Sequence, residues 1–315
     1  MPFISILLPA CNMGGKMDNC INSLKAQTFD NFEMIFVDDG STDSTYEELT
    51  EFAKIDSRVR IIQHGENKSL LAARYTAMKE AKGEYIIFLD TDDAIDKDAC
   101  KTLFEYVKKN PVDIVSFGFK FEPDGKEVMP VKSDNPLSEI YHYRVFPAIW
   151  KNCYSRNVIE KAVSKGESFY CNMGEDSYMS TILFANAKTF GTLEKVLLYY
   201  DAGTGMSNAK DVNEAKINKA IDSVKASTEH ILAYISKYNP EYLEDVKAVT
   251  TIMFRFLLRQ HVYMADNDIN AKKALELFNR EDLMEYYNYG CEVVIPARNK
   301  FNEDGTPVSI NIRQL

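Results

Sequence analysis

Three carboxylates crowd into Asp90-Thr91-Asp92-Asp93, directly after the apolar run Glu84–Leu89. A run so rich in Ile, Phe and Tyr reads as a buried parallel strand. Carboxylates this close repel one another and need solvent, cationic side chains or a metal ion. In open α/β sheets, ligands bind beyond the carboxyl ends of the strands. A divalent cation shared with a diphosphate suits that place. A plain acidic loop, capping a helix that begins near Asp96, is the alternative.

A second acidic set, Asp38-Asp39-Gly40-Ser41-Thr42-Asp43, ends another apolar run. Helix capping accounts for residues of this type. Two adjacent Asp at a strand end exceed what a cap needs, and a carboxylate there can accept from a base or a ribose. Pro9-Ala10-Cys11-Asn12 ends the first run in the same rim, where backbone groups can sandwich a planar base. Arg74, on the helix before the acidic strand, either faces solvent or balances carboxylates or a diphosphate. Gly174-Glu175-Asp176-Ser177 opens a later helix. Its acids favour the helix dipole, and one of them could equally take a proton from an acceptor hydroxyl. His64, His142, His230 and His261 have no partners at recognisable spacing and read as structural or exposed.

The elements that must position these residues alternate in type. Strand patterns at Phe3–Pro9, Phe32–Val37, Val59–Gln63, Glu84–Leu89 and Val112–Phe117 are separated by helical ones at Met17–Gln27, Ser41–Ile55, Ser69–Ala81 and Asp98–Lys109. That rhythm predicts a parallel sheet with helices on both faces. Beyond it come a hairpin at Lys120–Val131 around Pro123-Asp124-Gly125, and a polar connection at Asn135–Arg144. Helices follow at Asn157–Lys165 and Glu175–Ala187, then an extended pair over Lys188–Tyr200. From Asp211 to about Tyr289 the pattern is helical, with breaks at Asn239-Pro240 and Asn267-Asp268. The tail Glu292–Leu315 reads as mostly extended, and the domain boundary as lying near Gly203–Asn213.

The 315 residues suffice for two domains, and 45% hydrophobic with 27% charged residues is an ordinary globular balance. A net charge of −10, with no dense Lys/Arg block, argues against nucleic acid as a partner. The six cysteines show no CxxC spacing, which disfavours a zinc site and suits free thiols in a reducing cytoplasm. The apolar start Met1–Pro9 is too short for a signal segment and reads as a strand. The longest apolar helix, Val246–Met264, carries Lys247, Arg255, Arg259 and His261 and is expected to pack rather than span a bilayer.

Taken together, PACN (9–12), VDDGSTD (37–43), GEYIIFLDTDD (83–93) and GED (174–176) resemble the family 2 glycosyltransferases of the GT-A fold, over roughly residues 1–207. IWKNCYSR (149–156) is similar to the family stretch before the acceptor region, and Tyr199-Tyr200 with Gly205-Met206-Ser207 to its closing motif. The resemblance implies a Rossmann-like, mostly parallel sheet flanked by helices. Nucleotide-sugar binding then falls in 1–120, the acceptor region in 121–207, and a mainly helical appendage in 208–315. The implied reaction is an inverting, metal-dependent transfer of a hexosyl or N-acetylhexosaminyl group. Its donor is a nucleotide-diphosphate sugar, usually a UDP-sugar, and its acceptor a glycan or lipid-linked hydroxyl, as in bacterial surface-polysaccharide synthesis.

Carried over position by position, Pro9, Ala10, Asn12, Asp38, Asp39, Asn67, Arg74, Asp90 and Thr91 fall on the donor side. Pro9 and Asp39 match the base site, and Asp90 lies near the ribose or sugar. Asp92 matches the metal-binding Asp of the DXD motif, for Mg2+ or Mn2+, with Asp93 as helper. Asp176 matches the catalytic base, with Glu175 as its neighbour; Trp150 and Gly174 fall in the acceptor region. The chain departs from the family pattern at Lys68, Tyr75 and Ala77, and the last two changes would alter the pocket wall near the donor. Residues 208–315 would close over the acceptor, form a homo-oligomer, or rest on the inner face of a membrane; the net acidity weakens the last. A nucleotidyltransferase and an inactive nucleotide-sugar-binding module are the rival readings. The first lacks a Gly-rich basic loop beyond the faint Met13-Gly14-Gly15-Lys16, and the second sits poorly with both Asp92 and the Glu175-Asp176 pair.

Overall fold

The fold is that of a computed structural model, which describes residues 1–141, 147–201, 213–265 and 267–295, without the side chains of 247–250 and 293. The chain divides into two compact units, Met1–Ile140 with Arg144–Gly205, and Tyr141–Tyr143 with Met206–Leu315. The boundary expected near Gly203–Asn213 and the motif at Gly205-Met206-Ser207 lie outside the described residues, apart from Asn213.

Among the described residues, the first unit is organised by nine strands: β1 (Ile4–Ala10), β2 (Phe32–Asp38), β3 (Val59–Gln63), β4 (Tyr85–Phe88), β5 (Ala94–Ile95), β6 (Ile114–Glu122), β7 (Glu127–Val128), β8 (Asn152–Ser155) and β9 (Phe190–Asp201). Their order is β3-β2-β1-β4-β8-β6-β9-β5, with β7 on β6. Pairing is parallel from β3 through β4. β8 is antiparallel to both β4 and β6, and β9 is parallel to β6. Every residue of β1 and β2 is buried. That continuous pattern belongs to strands covered on both faces.

The covering helices are α1 (Asp18–Lys25), α2 (Thr45–Ile55), α3 (Leu70–Glu80) and α4 (Ala99–Lys109). In α4, Ala99, Cys100, Leu103 and Val107 recur on one side and are buried, as an amphipathic helix on a sheet requires. Later come α5 (Pro136–Tyr141), α6 (Arg156–Lys165) and α7 (Glu175–Phe184). Nine residues of α7 are buried, so this helix runs through the interior rather than along a surface.

Three elements differ from expectation. Lys188–Tyr200 is one strand, β9, rather than an extended pair; its register against β6 slips around Phe117–Phe119, and that irregularity mimics a break in the pattern. The connection at Asn135–Arg144 includes the helix α5, whose Leu137, Ile140 and Tyr141 are buried. Gly290–Val294 is a π-helical turn, so Glu292 begins no extended tail. The residues that suggested one, Pro296, Gly305 and Pro307, lie outside the described residues.

The second unit is helical: α8 (Glu214–Tyr238), α9 (Leu243–Leu257), a π-helical turn (Leu258–Tyr263), α10 (Asp268–Glu276) and α11 (Met284–Tyr289). The Asn213 and Asn267 side chains cap α8 and α10, accepting from the amides of Lys216 and Asn270. Two side chains of α9 pack within this unit: Phe254 stacks on Tyr286 at 4.5 Å, and the Arg255 guanidinium lies 4.7 Å from the Tyr289 ring centre. Among the described residues, no helix is long and apolar enough to cross a membrane. None of the six cysteines forms a disulfide.

Candidate active site

Strand register creates the rim. Ala10 sits opposite Asp38, Asp38 opposite Gln63, and Leu7 opposite Phe88. The carboxyl ends of β1, β2, β3 and β4 therefore finish side by side, and the polar residues that follow each strand share one edge. Thr91 ties two of these turns together by donating its hydroxyl to the Pro9 carbonyl at 3.2 Å. Asn12, at φ 54, accepts from the Thr42 amide at 2.9 Å and donates its own amide to Ser41 Oγ at 3.0 Å. Ala10 is buried, and its carbonyl accepts from the Asp39 amide at 2.8 Å.

Arg74 is the centre of the acidic edge. It is 1% exposed, and its Nη2 donates to Asp90 Oδ1 at 2.8 Å. Its Nη1 donates to Asp176 Oδ1 at 2.8 Å and to Glu175 Oε1 at 3.3 Å. The helix α3 thus delivers one cation to the end of β4 and to the first turn of α7. Gly174 makes that turn possible: it stands at φ 86, a left-handed conformation that glycine adopts without a Cβ penalty. Burial works against the Arg74 charge, but Asp90, Asp176 and Glu175 outweigh it and raise its pKa.

One guanidinium against three carboxylates leaves excess negative charge. Burial accordingly pushes the Asp176 carboxyl well above the carboxylate range, with Arg74 opposing and Glu175 and Asp90 adding to the rise. Glu175 moves the same way, again chiefly through burial against the pull of Arg74. The Asp176 side chain keeps 28% exposure, so it can still meet a ligand. Tyr200, absent from the sequence-derived site, faces the same charges. Its phenol is pushed up to about 12 by burial and by Asp93, Asp90, Asp92 and Asp176. It stays protonated and offers an O–H donor.

Trp150 is a core side chain, 5% exposed, stacked on Tyr200 at 5.1 Å and edge-on to Phe119 at 4.8 Å. It can support the site through Tyr200. Asp38 and Asp39 are buried as well. Asp38 accepts from the Ser41 amide and from Gln63 Nε2, each at 3.2 Å. Asp39 Oδ1 accepts from the Lys68 amide and Oδ2 from the Ser69 amide, each at 2.9 Å. Asn67 donates to the Asp39 carbonyl and to Cys11 Sγ, each at 3.3 Å. His64 also bonds Asp39, at 2.6 Å. A histidine at the end of β3 carried no sequence signal for this, because its partner is 25 positions away.

Asp92 and Asp93 part company. Asp92 opens onto a cleft of about 520 Å³, lined also by Asn19, Asn22, Glu122, Tyr199 and Asp201. Asp93 is 1% exposed; its Oδ1 accepts from the Asp201 amide at 2.8 Å and, among the described residues, its Oδ2 has no hydrogen-bond partner. Burial, then Asp90 and Asp92, push its carboxyl up to about 9. Among the described residues, no group of three or more His, Cys, Asp or Glu could hold a metal ion unaided. A carboxylate opening onto a cleft nevertheless fits Mg2+ or Mn2+, which bind one or two protein carboxylates and take the rest of their oxygens from phosphates and water. Asp92 meets that description; buried Asp93 does not.

An α/β sheet flanked by helices, with acidic residues at the carboxyl ends of β2 and β4, has the GT-A fold. The family model for Glycosyl transferase family 2 matches residues 5–197, and the chain belongs to that family. The uncharacterized glycosyltransferase EpsJ of Bacillus subtilis (strain 168) is 30% identical over 234 residues, covering 70% of this chain and 66% of EpsJ. Glycosyltransferase GlyA of Streptococcus pneumoniae serotype 4 is 28% identical over 213 residues, 62% of this chain and 30% of GlyA. The match thus spans from under a third to just under two thirds of these relatives' own length. Among solved structures, S. aureus TarS 1-349 in complex with UDP-GlcNAc shares the fold, with a TM-score of 0.58 at 20% identity, covering 94% of this chain and 89% of that one. A mannosyltransferase from Pyrobaculum calidifontis, in complex with GDP-Man and Mn2+, gives 0.52 at 15% identity, covering 94% and 86%.

Proposed function

We propose that this chain is an inverting, metal-dependent glycosyltransferase that moves a sugar from a nucleotide-diphosphate donor, a UDP-sugar, to a hydroxyl of a glycan or lipid-linked acceptor. The observation that carries the reading is the Arg74 clamp, which unites the acid after β4 with the acids that open α7. Arg74 engages Asp176 through Oδ1, leaving Oδ2 for a proton. Asp176 removes the acceptor proton as the oxygen attacks the anomeric carbon opposite the diphosphate, so one displacement inverts the centre. Partly desolvated, its carboxylate is a stronger base than a free one.

Asp90, held by the same guanidinium, orients toward the donor's ribose or sugar. Pro9, Ala10, Asn12, Asp38, Asp39 and Asn67 form the wall for the base, and Asp92 would hold Mg2+ or Mn2+. That ion, when bound, supplies neutralisation of the charge on the departing diphosphate. The UDP-GlcNAc in TarS and the Mn2+ in the mannosyltransferase support this reading. The test is a melting-temperature series with uridine, guanosine and adenosine diphosphates and their sugars, in Mn2+ or in EDTA. A Mn2+-dependent rise with the uridine series is expected. No rise with any nucleotide would overturn the proposal.

A further inference from the structure

Behind the base wall lies a buried histidine with both ring nitrogens engaged. His64 is 7% exposed; Nδ1 lies 2.6 Å from Asp39 Oδ1, and Nε2 lies 2.9 Å from Thr76 Oγ1 on α3. A carboxylate only accepts, so the Nδ1 proton is donated to Asp39. The remaining bonds to the Asp39 carboxylate come from the amides of Lys68 and Ser69. A carboxylate has about four acceptor positions, and these donors occupy three. The loop so held is unusual in two respects. Ser69 stands at φ 96, a region that disfavours side chains, and its hydroxyl caps α3. Gly40 is pressed against the same loop: a Cβ there would lie 2.5 Å from the Glu66 carbonyl carbon and 2.6 Å from the Asn67 nitrogen.

We propose that His64 is a positioning residue of the donor site. It fixes the Asp39 carboxylate from behind, and Asp39 in turn fixes residues 67–69 where Asn67 reaches Cys11 and the Asp39 carbonyl. The base wall is then formed before the donor arrives, so binding does not have to order it. The same bonds set the first turn of α3, the helix that carries Arg74. The inference rests on the reading of this rim as a nucleotide-sugar site.

Calorimetric titration of the full chain with UDP and Mn2+ tests it. His64→Leu should weaken UDP binding about tenfold, while His64→Asn, whose amide donates from near the Nδ1 position, should stay within about threefold of wild type. A purely structural role would lower the melting temperature of both variants and leave the affinity of the folded protein unchanged. His64→Leu binding UDP within about twofold of wild type would therefore overturn the role of His64. Failure of the wild-type chain to bind any nucleotide would instead overturn the donor-site reading itself. Should His64→Leu not fold, Thr76→Val removes only the Nε2 partner. A loss of about threefold then supports the role, and an unchanged affinity overturns it.

Discussion

Arg74 and Asp176 are 102 positions apart in the chain and 2.8 Å apart in space, with Nη1 of the guanidinium donating to Oδ1 of the carboxylate. The same side chain holds Asp90 and Glu175. Its planar fork reaches several carboxylates at once, which a lysine ammonium does not match. In the proposed mechanism, stability and chemistry are therefore coupled at one buried residue.

Removing the cation should be costly on both counts. Arg74→Met leaves three carboxylates without it, and breaking a buried charge pair typically costs about 3–5 kcal/mol. Urea denaturation should show a loss of that size, together with a turnover at least about a hundredfold lower. Arg74→Lys should recover part of the stability and little of the turnover. An unchanged urea midpoint for Arg74→Met would show that protons already neutralise the cluster.

Asp176→Asn should lower turnover by about a thousandfold, within the range for loss of a general base, and leave UDP affinity nearly intact. Turnover and calorimetry on the same sample check this, and a large loss of UDP affinity would move Asp176 to the donor side. The pH profile carries a second check. Asp176 must be ionised to take a proton, and burial has raised its pKa. The value of kcat/KM should thus climb with pH along an acid limb lying above the ordinary carboxylate range. A limb near the ordinary carboxyl value of 3.8 would contradict the assignment.

Asp92→Asn should abolish the part of nucleotide affinity that depends on metal. In EDTA, wild type and variant should bind UDP alike; in Mn2+ only the wild type should gain. Equal gains would place the ion elsewhere.

Asp93 predicts a pH effect on stability. Its carboxyl is raised from 3.8 to about 9 in the fold, so the native state holds a proton that the unfolded chain releases. Its contribution is complete below the lower value and is lost as pH rises toward the upper one. In EDTA, wild type should lose melting temperature between pH 5 and pH 8.5 (about the span separating these two values), and Asp93→Asn should lose less. The amide keeps an oxygen for the Asp201 amide while removing a group that can ionise beside Asp90 and Asp92. Equal losses would show that Asp93 ionises freely.

Much of the α/β architecture was legible along the chain. Apolar runs such as Ile4–Ala10 and Phe32–Asp38 declare buried strands, and a parallel strand must end where its neighbours end. Acids placed just after those runs, at Asp38-Asp39 and Asp90–Asp93, were therefore bound to share an edge. Periodicity reports only which face a residue takes within its own element. It could not read β9 as one strand, because a register slip interrupts the pattern.

Nor could it choose among the fates of individual polar residues. Local pattern left Arg74 as either a surface residue or a counter-charge, and grouped Asp93 with Asp92. Folding separated Asp93 by carrying the end of β9 beside it, 108 positions later, where the Asp201 amide donates to its carboxyl group. His64 looked partnerless until β2 and α3 enclosed it. The sequence by itself determined which residue types stand at the strand ends, since burial and alternation are local properties. Tertiary structure decided which of those charges are paired, protonated or open to a ligand, because that depends on desolvation and on neighbours that only the completed fold brings within a few ångströms.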